Sequence, residues 1–203
     1  MKKTLLAIPS MLEASSFSAG TELSVLGVGL VNFSAGLAKA LHSGEYERVI
    51  QLGIGGAYSS SGLKLGELVF VEEDQAGDLG YQETDGSFHR FKAEMVGKSV
   101  YRASSEPLAC FSSLPKVRAI SVNCCTGTQN LAAERENLYG AQIETMEGVS
   151  CFALAEAFGC KAYQIRAVSN FVTARDPSRW EISKALQSLQ QWVNTWKNKL
   201  GFV

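Results

Sequence analysis

The sequence has no excess of charge of either sign, and this bounds its partners. Its 203 residues include 19 Lys and Arg against 20 Asp and Glu, which gives a net charge of −1 at pH 7. Because binding to nucleic-acid phosphates needs a surplus of Lys and Arg, we expect no nucleic-acid partner. Charged residues make up only 19% of the chain, against a typical share of about 25%. We therefore expect part of the surface to be covered by a partner or to line a pocket.

Cysteines are few, and their spacing predicts no cross-link. The chain has 5, an odd number, with Cys124 and Cys125 adjacent and no CxxC motif. This pattern predicts neither a disulfide framework nor a zinc site and favours a reducing, cytoplasmic compartment. Histidine occurs only at His42 and His89, and neither lies in a pattern that predicts catalysis or a metal.

Long apolar runs are also missing. None approaches the roughly 18 residues of a membrane-spanning helix, so we expect no membrane partner. The stretch Thr4–Ile8 behind Lys2 and Lys3 is in part typical of a signal peptide. Pro9 and Glu13 cut it short, and the first strand of a sheet is the alternative interpretation.

What the sequence does contain is an alternation of short apolar runs, bounded by glycine, with helical patterns. This predicts one α/β domain, residues 1–203, with a largely parallel sheet. Strands are predicted at 5–8, 48–52, 68–71, 117–122, 141–143 and 162–168, and residues 23–30 read as another strand or a hairpin partner. Helices are predicted at 129–138 and 149–158, and along two apolar stripes, Phe33, Leu37, Ala40, Leu41 and Ile182, Leu186, Leu189, Val193, Trp196.

Predicted capping residues mark the ends of these two amphipathic helices. Gly44 is a plausible end for the first helix. Ser178 with Glu181 three residues on predicts a capping box before the second, and Gly201 follows it. Residues 74–98 are polar, rich in glycine and without period, which predicts a long loop of the kind that is usually functional or disordered.

Ligands of open α/β sheets bind beyond the carboxyl ends of strands, and three such places carry unusual residues. At Gly53–Gly56 the missing side chains let backbone N–H groups approach a ligand at a strand end. This could be a dinucleotide site, but Tyr58 stands where a GxGxxG motif has its third glycine. A tight turn is the alternative interpretation. A carboxylate at Glu147, before a helix, would suit a diol, unless Glu144 and Glu147 merely cap that helix. Asn170 offers an amide that reads a heterocycle edge, or is a turn residue.

Five segments together resemble, in order and spacing, the core motifs of the purine nucleoside phosphorylase and nucleosidase superfamily. They are Gly27-Val28-Gly29, Gly53-Ile54-Gly55-Gly56, Leu65-Gly66-Glu67-Leu68-Val69, Glu144-Thr145-Met146-Glu147 and Arg166-Ala167-Val168-Ser169-Asn170. Within it the chain is most similar to the futalosine hydrolases, through Gly77-Asp78-Leu79-Gly80, Glu83-Thr84-Asp85-Gly86, Asn170, Arg175-Asp176 and Trp180. The resemblance implies a three-layer nucleoside phosphorylase-like fold, with a mixed twisted sheet flanked by helices.

The resemblance also implies a reaction. It is hydrolysis of the N-glycosidic bond of futalosine to release hypoxanthine, a step of menaquinone biosynthesis, without a metal or organic cofactor. On the family pattern Glu147 binds the ribose hydroxyls, Met146 packs beside the sugar, and Glu13 positions and deprotonates the attacking water. From composition alone, Glu13 would be a solvated loop carboxylate.

Two departures from related enzymes refine this expectation. The superfamily's phosphorylases carry arginines in the loop after strand one and before the glycines, where this chain has Pro9–Glu13 and then Gln51 or Leu52. Because phosphate needs charge-assisted donors, water is the expected nucleophile. Adenine-releasing relatives carry Asp at the position of Asn170, and Asn cannot hand over a full proton. Its amide can instead bond N7 and O6 of a 6-oxopurine, which predicts hypoxanthine.

The remaining assignments follow from the same resemblance. Gly53–Gly56 would form a substrate loop, and Cys125 and Thr126 the base-binding wall, with Cys124 and Cys125 packed as small apolar side chains. For the carboxybenzoyl end of futalosine, the candidates are Arg90 or Lys92 for the carboxylate and Phe88 or Phe91 for the ring.

Superfamily members are commonly oligomers, so we expect at least a homodimer that binds a small purine nucleoside. Two alternatives stay open. One is an adenine-releasing nucleosidase that acts on methylthioadenosine, adenosylhomocysteine or aminodeoxyfutalosine. The other is a nucleoside-binding module without catalysis.

Overall fold

The computed structural model describes residues 3–17, 21–44, 46–105 and 108–200. The predictions at Lys2 and Gly201 lie outside these residues. The described strands are β1 (Lys3–Ile8), β2 (Ser24–Val25), β3 (Tyr46–Ala57), β4 (Leu68–Ala76), β5 (Gly80–Gln82), β6 (Phe88–Arg90), β7 (Val100–Arg102), β8 (Lys116–Ser121), β9 (Ile143–Thr145) and β10 (Lys161–Phe171). The described helices are α1 (Met11–Ala14), α2 (Leu30–Ser43), α3 (Ala93–Val96), α4 (Gln129–Tyr139), α5 (Gly148–Ala157) and α6 (Ile182–Leu200).

The main sheet is mixed, as predicted, and partly closed. Its order is β10-β4-β8-β9-β3-β1-β2, with β7 beside β4. Strand β10 pairs with β3 in parallel and with β4 antiparallel, so β10, β4, β8, β9 and β3 form a ring. Parallel β1 extends that ring on the outer side of β3. The first apolar stretch is therefore a strand of the sheet, which agrees with that interpretation of residues 4–8.

Alternation along the strands divides the core into two layers of side chains. Leu6 and Ile8 of β1 belong to a cluster with Leu189 and Val193 of α6. Leu5 and Ala7 belong to a second cluster, with α2 and α5. Because successive side chains of a strand point to opposite faces, the sheet lies between α6 on one side and α2 with α5 on the other.

The glycine run is not a turn, contrary to one prediction. Gly53–Gly56 lies inside β3, which continues to Ala57 and pairs with β10 along this stretch. The lack of side chains serves neighbours on adjacent strands: a Cβ at Gly56 would lie 3.0 Å from Asn170 Nδ2, and one at Gly55 would lie 3.5 Å from Thr145 Cγ2.

Residues 74–98 are structured, so the prediction of one long loop is wrong. Strand β4 continues to Ala76, β5 and β6 form an antiparallel hairpin, and α3 follows. Gly86, with φ +89°, makes the hairpin turn, where Asp85 accepts hydrogen bonds from the backbone and hydroxyl of Ser87. Strands of three residues are too short to show a period, which is why the sequence pattern missed them.

Three smaller predictions need correction. Residues 23–30 hold only β2, parallel to β1 rather than a hairpin partner, because α2 already begins at Leu30. The strand predicted at 141–143 occupies Ile143–Thr145. The capping box is wrong, since Ser178 lies in a 3₁₀ turn capped by Asp176 and α6 begins at Ile182.

The helix predictions otherwise agree with the structure. Phe33, Leu37 and Leu41 form the buried face of α2, and Gly44 caps its end. In the described part of the chain, no helix has both the length and the apolar character that crossing a bilayer requires.

Candidate active site

A cleft opens where the parallel strands β1, β3 and β10 end. Its volume is about 200 Å³, and its lining combines backbone, carboxylates and one amide. Among the lining residues are Ser10, Leu12, Glu13, Val28, Ile54, Gly55, Gly56, Cys125, Thr126, Glu144, Met146, Glu147, Asn170, Arg175 and Trp180. The three predicted sites therefore meet in one place, as expected of carboxyl strand ends.

Glu13 is buried rather than solvated. It lies in the short helix α1, directly after β1, and is 6% exposed. Its Oε2 accepts a hydrogen bond of 2.5 Å from the Ser10 hydroxyl, and its Oε1 accepts one of 3.1 Å from the backbone N–H of Ile54. These two donors hold the carboxylate at the cleft, so composition alone assigns Glu13 the wrong environment.

Glu147 occupies the N-cap position of α5, directly before Gly148. Its side chain does not cap that helix; Oε1 instead accepts a hydrogen bond of 3.1 Å from the N–H of Gly29, before α2. Burial raises the pKa of Glu147, while Arg166 and the Gly29 N–H lower it and nearby Glu13 raises it. A buried acceptor anchored from one side suits a pair of sugar hydroxyls.

Arg166 lies beneath the two carboxylates and was not among the predicted site residues. It is 1% exposed, and its Nη1 is 3.6 Å from Glu147 Oε2. A Cβ at Gly53 would be 2.3 Å from that same Nη1 and 3.2 Å from Glu13 Oε1. The guanidinium therefore lies beside Glu147, and Gly53, which Glu13 also borders, leaves the space that it occupies. An arginine inside an otherwise apolar strand was the available signal.

A further acid lies deeper on the same side of the sheet. Asp74 of β4 is fully buried and accepts hydrogen bonds from Ser121 (3.0 Å) and Gln164 (3.3 Å). Burial raises the pKa of Asp74 to about 7, with Arg166 acting in the opposite direction. Asp74 therefore belongs to the charge surroundings of Arg166 without lining the cleft.

Asn170 lies at the opposite wall, at the end of β10. Its Oδ1 accepts a hydrogen bond of 2.8 Å from the Ser169 hydroxyl, and its Nδ2 donates to the backbone oxygen of Phe171 at 3.2 Å. The amide is partly buried, and it borders the bare Cα of Gly56. The structure thus places Asn170 in the cleft, where it was predicted from the sequence.

The base-wall residues divide into two kinds. Thr126 is buried, and its N–H and hydroxyl both donate to Glu144, at 2.8 Å and 2.6 Å. Cys125 lines the cleft and is exposed, as is Cys124. The prediction that Cys124 and Cys125 pack as apolar side chains is therefore wrong, because both lie in the open loop after β8.

Glu144 does not act as a solvent-exposed cap of helix α5 either. The carboxylate is buried and also accepts hydrogen bonds from the Tyr58 hydroxyl (2.9 Å) and Arg135 Nη1 (3.1 Å). Burial, followed by the charge of Glu144, raises the pKa of Tyr58. The sequence motif contains Glu144, but only the fold shows that it faces the cleft with an arginine behind it.

The residues suggested for the far end of the substrate lie elsewhere. Arg90 stacks over the ring of Tyr139 at 5.1 Å, and Phe91 and Lys92 line a separate cavity beside Leu79. Arg175 is the cation that does line the cleft, with its guanidinium 5.3 Å from the Trp180 ring. The predicted candidates belong to the β5–β6 hairpin and its continuation and are not among the residues that line the cleft.

Within the described residues, no group of three or more His, Cys, Asp and Glu side chains is arranged to hold a metal ion. Glu72 and Glu73 lie near the distance at which a dinucleotide-binding fold places its ribose carboxylate, and Glu73 forms an ion pair with Arg102 at 2.6 Å. The glycine run that interpretation uses is a strand and not a loop before a helix. The geometry thus offers nothing to a dinucleotide at this position.

Sequence comparison identifies relatives over most of the chain. Residues 17–198 match the family model described as the phosphorylase superfamily. Futalosine hydrolase from Thermus thermophilus is 31% identical over 82% of this chain and 76% of its own length. Futalosine hydrolase from Streptomyces coelicolor is 30% identical over 86% of this chain and 77% of its own.

Solved structures share the fold at low sequence identity. Futalosine hydrolase of Helicobacter pylori superposes with a TM-score of 0.82 at 13% identity, over 98% of each chain. The 5′-methylthioadenosine/S-adenosylhomocysteine nucleosidase of Helicobacter pylori, with butyl-thio-DADMe-Immucillin-A, gives 0.83 at 13% identity, over 98% of this chain and 99% of its own. The structural matches show the shared fold, and the family model with the sequence relatives shows that the chain belongs to the phosphorylase superfamily and, within it, to the futalosine hydrolase family.

Proposed function

We propose that this protein is a nucleosidase that cleaves the N-glycosidic bond of futalosine with water and releases hypoxanthine, a step of menaquinone biosynthesis. The observation that carries the proposal is the meeting of Glu13, Glu147 and Asn170 in one cleft of a futalosine hydrolase family member. Each of the three supplies a different requirement of the reaction.

Glu147 binds the ribose. As C1′ loses the purine, positive charge develops on the sugar, and a carboxylate beside the ribose hydroxyls stabilises that charge. Arg166, 3.6 Å away, opposes the rise in pKa that burial causes and so favours the ionised form. Met146, which also lines the cleft, packs beside the sugar.

Glu13 activates the nucleophile. The water oxygen bonds to C1′ as the C1′–N9 bond breaks, and the water proton passes to Glu13. A general base of this kind contributes about 10²- to 10⁴-fold to the rate. The hydrogen bonds from Ser10 and Ile54 hold the carboxylate in place before the substrate arrives.

Asn170 sets the leaving base. The electrons of the C1′–N9 bond pass into the purine, and the amide of Asn170 donates to N7 or O6 as that charge grows. An Asn has no acidic proton to transfer to N7, so a base that carries charge on O6 suits it better than adenine. Release of adenine remains the second candidate, because the fold is shared with an adenosine-type nucleosidase.

Water rather than phosphate is the proposed nucleophile. Among the lining residues of the cleft, Arg175 is the one Lys or Arg, and it stacks on Trp180 at the rim. Gln51 and Leu52, where phosphorylases carry an arginine, are both completely buried. A phosphate dianion would lack the charge-assisted donors that it needs.

One assay tests the proposal. The protein is incubated with futalosine, methylthioadenosine, and inosine with and without phosphate, and the released base is identified by chromatography. We expect hypoxanthine from futalosine without a need for phosphate. Adenine without hypoxanthine would contradict the role of Asn170, and a phosphate requirement would contradict the role of water. No base from any substrate would favour a non-catalytic binding module.

We further propose a cytoplasmic homodimer or larger homo-oligomer. Leu12, which lines the cleft, is 63% exposed, and two apolar side chains close to lining residues in the sequence, Met11 and Val31, are 70% and 76% exposed. Covering them with a second copy of the chain would remove apolar surface from water and would enclose a nucleoside. Light scattering on the purified protein is expected to give at least twice the monomer mass of 21.9 kDa.

A further inference from the structure

Glu144, Gly56 and Asn170 form a row across three adjacent strands. Gly56 of β3 is in register with Asn170 of β10 on one side and with Glu144 of β9 on the other. Residues that oppose each other in register project to the same face of a sheet. The carboxylate of Glu144 and the amide of Asn170 thus lie on either side of a residue that has no side chain. Their strands, β9 and β10, are about 10 Å apart, which is two strand spacings.

This gap is part of the cleft, and Val172, which also lines it, packs against Gly56: a Cβ at Gly56 would lie 2.8 Å from Val172 Cγ2. Glu144, Gly56 and Asn170 all line the same cavity. Contacts agree with the register: a Cβ at Gly56 would lie 3.0 Å from Asn170 Nδ2, and the Tyr58 hydroxyl, two residues further on, reaches Glu144. Glu144 and Asn170 therefore border the same cavity, and a flat heterocycle bound in it can present neighbouring polar atoms of one edge to the two side chains.

The two oxygens of Glu144 are not equally occupied. Oε2 receives hydrogen bonds from Tyr58, Thr126 and Arg135. Oε1 receives the one from the Thr126 N–H, at 2.8 Å, which leaves acceptor capacity on that atom. Arg135 is itself buried and forms an ion pair with Glu144 at 3.1 Å, so a cation lies behind the carboxylate where it lines the cleft.

We propose that Glu144 determines base specificity by accepting the N1–H of a 6-oxopurine whose O6 and N7 face Asn170. This inference rests on the proposed nucleosidase function and names a residue that the reaction itself does not require. Hypoxanthine presents N7, O6 and N1–H along one edge, which is acceptor, acceptor, donor. Asn170 supplies the donor and Glu144 supplies the acceptor that this order needs.

Adenine presents the wrong pattern to the same pair. Its N1 is an acceptor with a lone pair, so it would face a buried carboxylate with no proton between them. A site built to hydrogen-bond a group rejects an analogue that leaves the site's own polar atom unpaired. The carboxylate thus contributes discrimination that Asn170 alone, whose amide can present either a donor or an acceptor, does not provide.

The test measures binding of free bases by calorimetry, which does not depend on turnover. Wild-type protein is expected to bind hypoxanthine about ten- to hundredfold more tightly than 1-methylhypoxanthine or adenine, the usual range for a hydrogen bond to a charged group. In Glu144→Gln this preference is expected to fall to within a few fold, with loss of hypoxanthine affinity. Glu136→Gln, a carboxylate on α4 that bonds Ser59 and Ser60 outside the cleft, is the matched control and should retain the preference.

The outcomes separate this inference from the proposed function. If the wild type releases hypoxanthine from futalosine but Glu144→Gln keeps the full preference, the inference is wrong and the function stands. If Glu144→Gln does not fold, wild-type turnover of inosine against 1-methylinosine decides, and equal rates would overturn the role of Glu144. A wild type that binds bases with the expected preference but cleaves no nucleoside supports Glu144 and contradicts the hydrolase.

Discussion

Individual carboxylates in this protein differ more in their surroundings than in their sequence context. Glu13 accepts from a hydroxyl and a backbone N–H, Glu147 from a backbone N–H beside Arg166, and Glu144 from four donors including Arg135. Because a buried charge is tolerated only with partners, each acid is held in one position. That fixed position is what a catalytic or binding role requires.

At the residue scale, we predict that Glu147→Gln retains the fold and lowers kcat/KM for futalosine by about 10²- to 10³-fold, the usual loss when one preorganised electrostatic group is removed. The amide keeps the shape of the side chain but carries no charge to oppose the cationic sugar. Steady-state kinetics gives the rate, and circular dichroism checks the fold. Glu136→Gln serves as control, and an active Glu147→Gln would move the sugar site elsewhere.

At the scale of the elements, the glycines of strand β3 make room for a buried charged side chain below the cleft. Its glycines lie in a paired strand, where glycine is unfavourable by propensity. At Gly53 the compensation is specific, since the guanidinium of Arg166 occupies the space beside its Cα. The strand thus exchanges local stability for the space that a cation beside Glu147 occupies.

We therefore predict that Gly53→Ala displaces Arg166 and lowers kcat by at least about tenfold, since small displacements of positioned groups are costly. The added Cβ would come within 2.3 Å of Nη1. Gly127→Ala is the matched control, because a Cβ there meets nothing nearer than the Cβ of Arg175 at 3.9 Å. Equal kinetics for the two variants would show that Arg166 does not depend on Gly53.

At the scale of the whole molecule, the buried charges affect stability as well as chemistry. Asp74, Arg166 and Glu147 lie in the interior on the α2 and α5 side of the sheet. In the folded protein the pKa of Asp74 is raised to about 7, whereas an unfolded Asp titrates near about 3.9. Between these values the folded state holds a proton that the unfolded chain has released.

It follows that the free energy of unfolding falls as pH rises from about 4 to 7, by at most about 1.4 kcal/mol per pH unit from this group. Asp74→Asn has no proton to release, so its stability relative to the wild type should increase across that interval and level off above it. Urea denaturation at several pH values measures this. Asp85→Asn, at an exposed turn, is the control, and an unchanged slope in Asp74→Asn would contradict the prediction.

The sequence alone was sufficient for the family and for most of the elements. Apolar stripes at helical spacing located α2 and α6, and the ordered glycine and acidic motifs located the strand ends, because both are local patterns. The resemblance to the family that these motifs carry assigned site roles to Met146, Glu147 and Asn170, and all three line the cleft. The glycine run was misread as a turn, since nothing local distinguishes a turn glycine from one that makes room for a side chain on another strand.

Tertiary structure alone decided which charges are buried and what they face. From composition alone, Glu13 would be predicted to lie at the surface. No local motif predicts which residues Arg166 and Glu144 contact. Their environments depend on strand register, which brings Glu144 and Asn170 to either side of Gly56 and Arg166 beneath Glu13 and Glu147. These pairings join residues more than 80 positions apart in the sequence. The pattern of neighbouring residues therefore cannot predict the register.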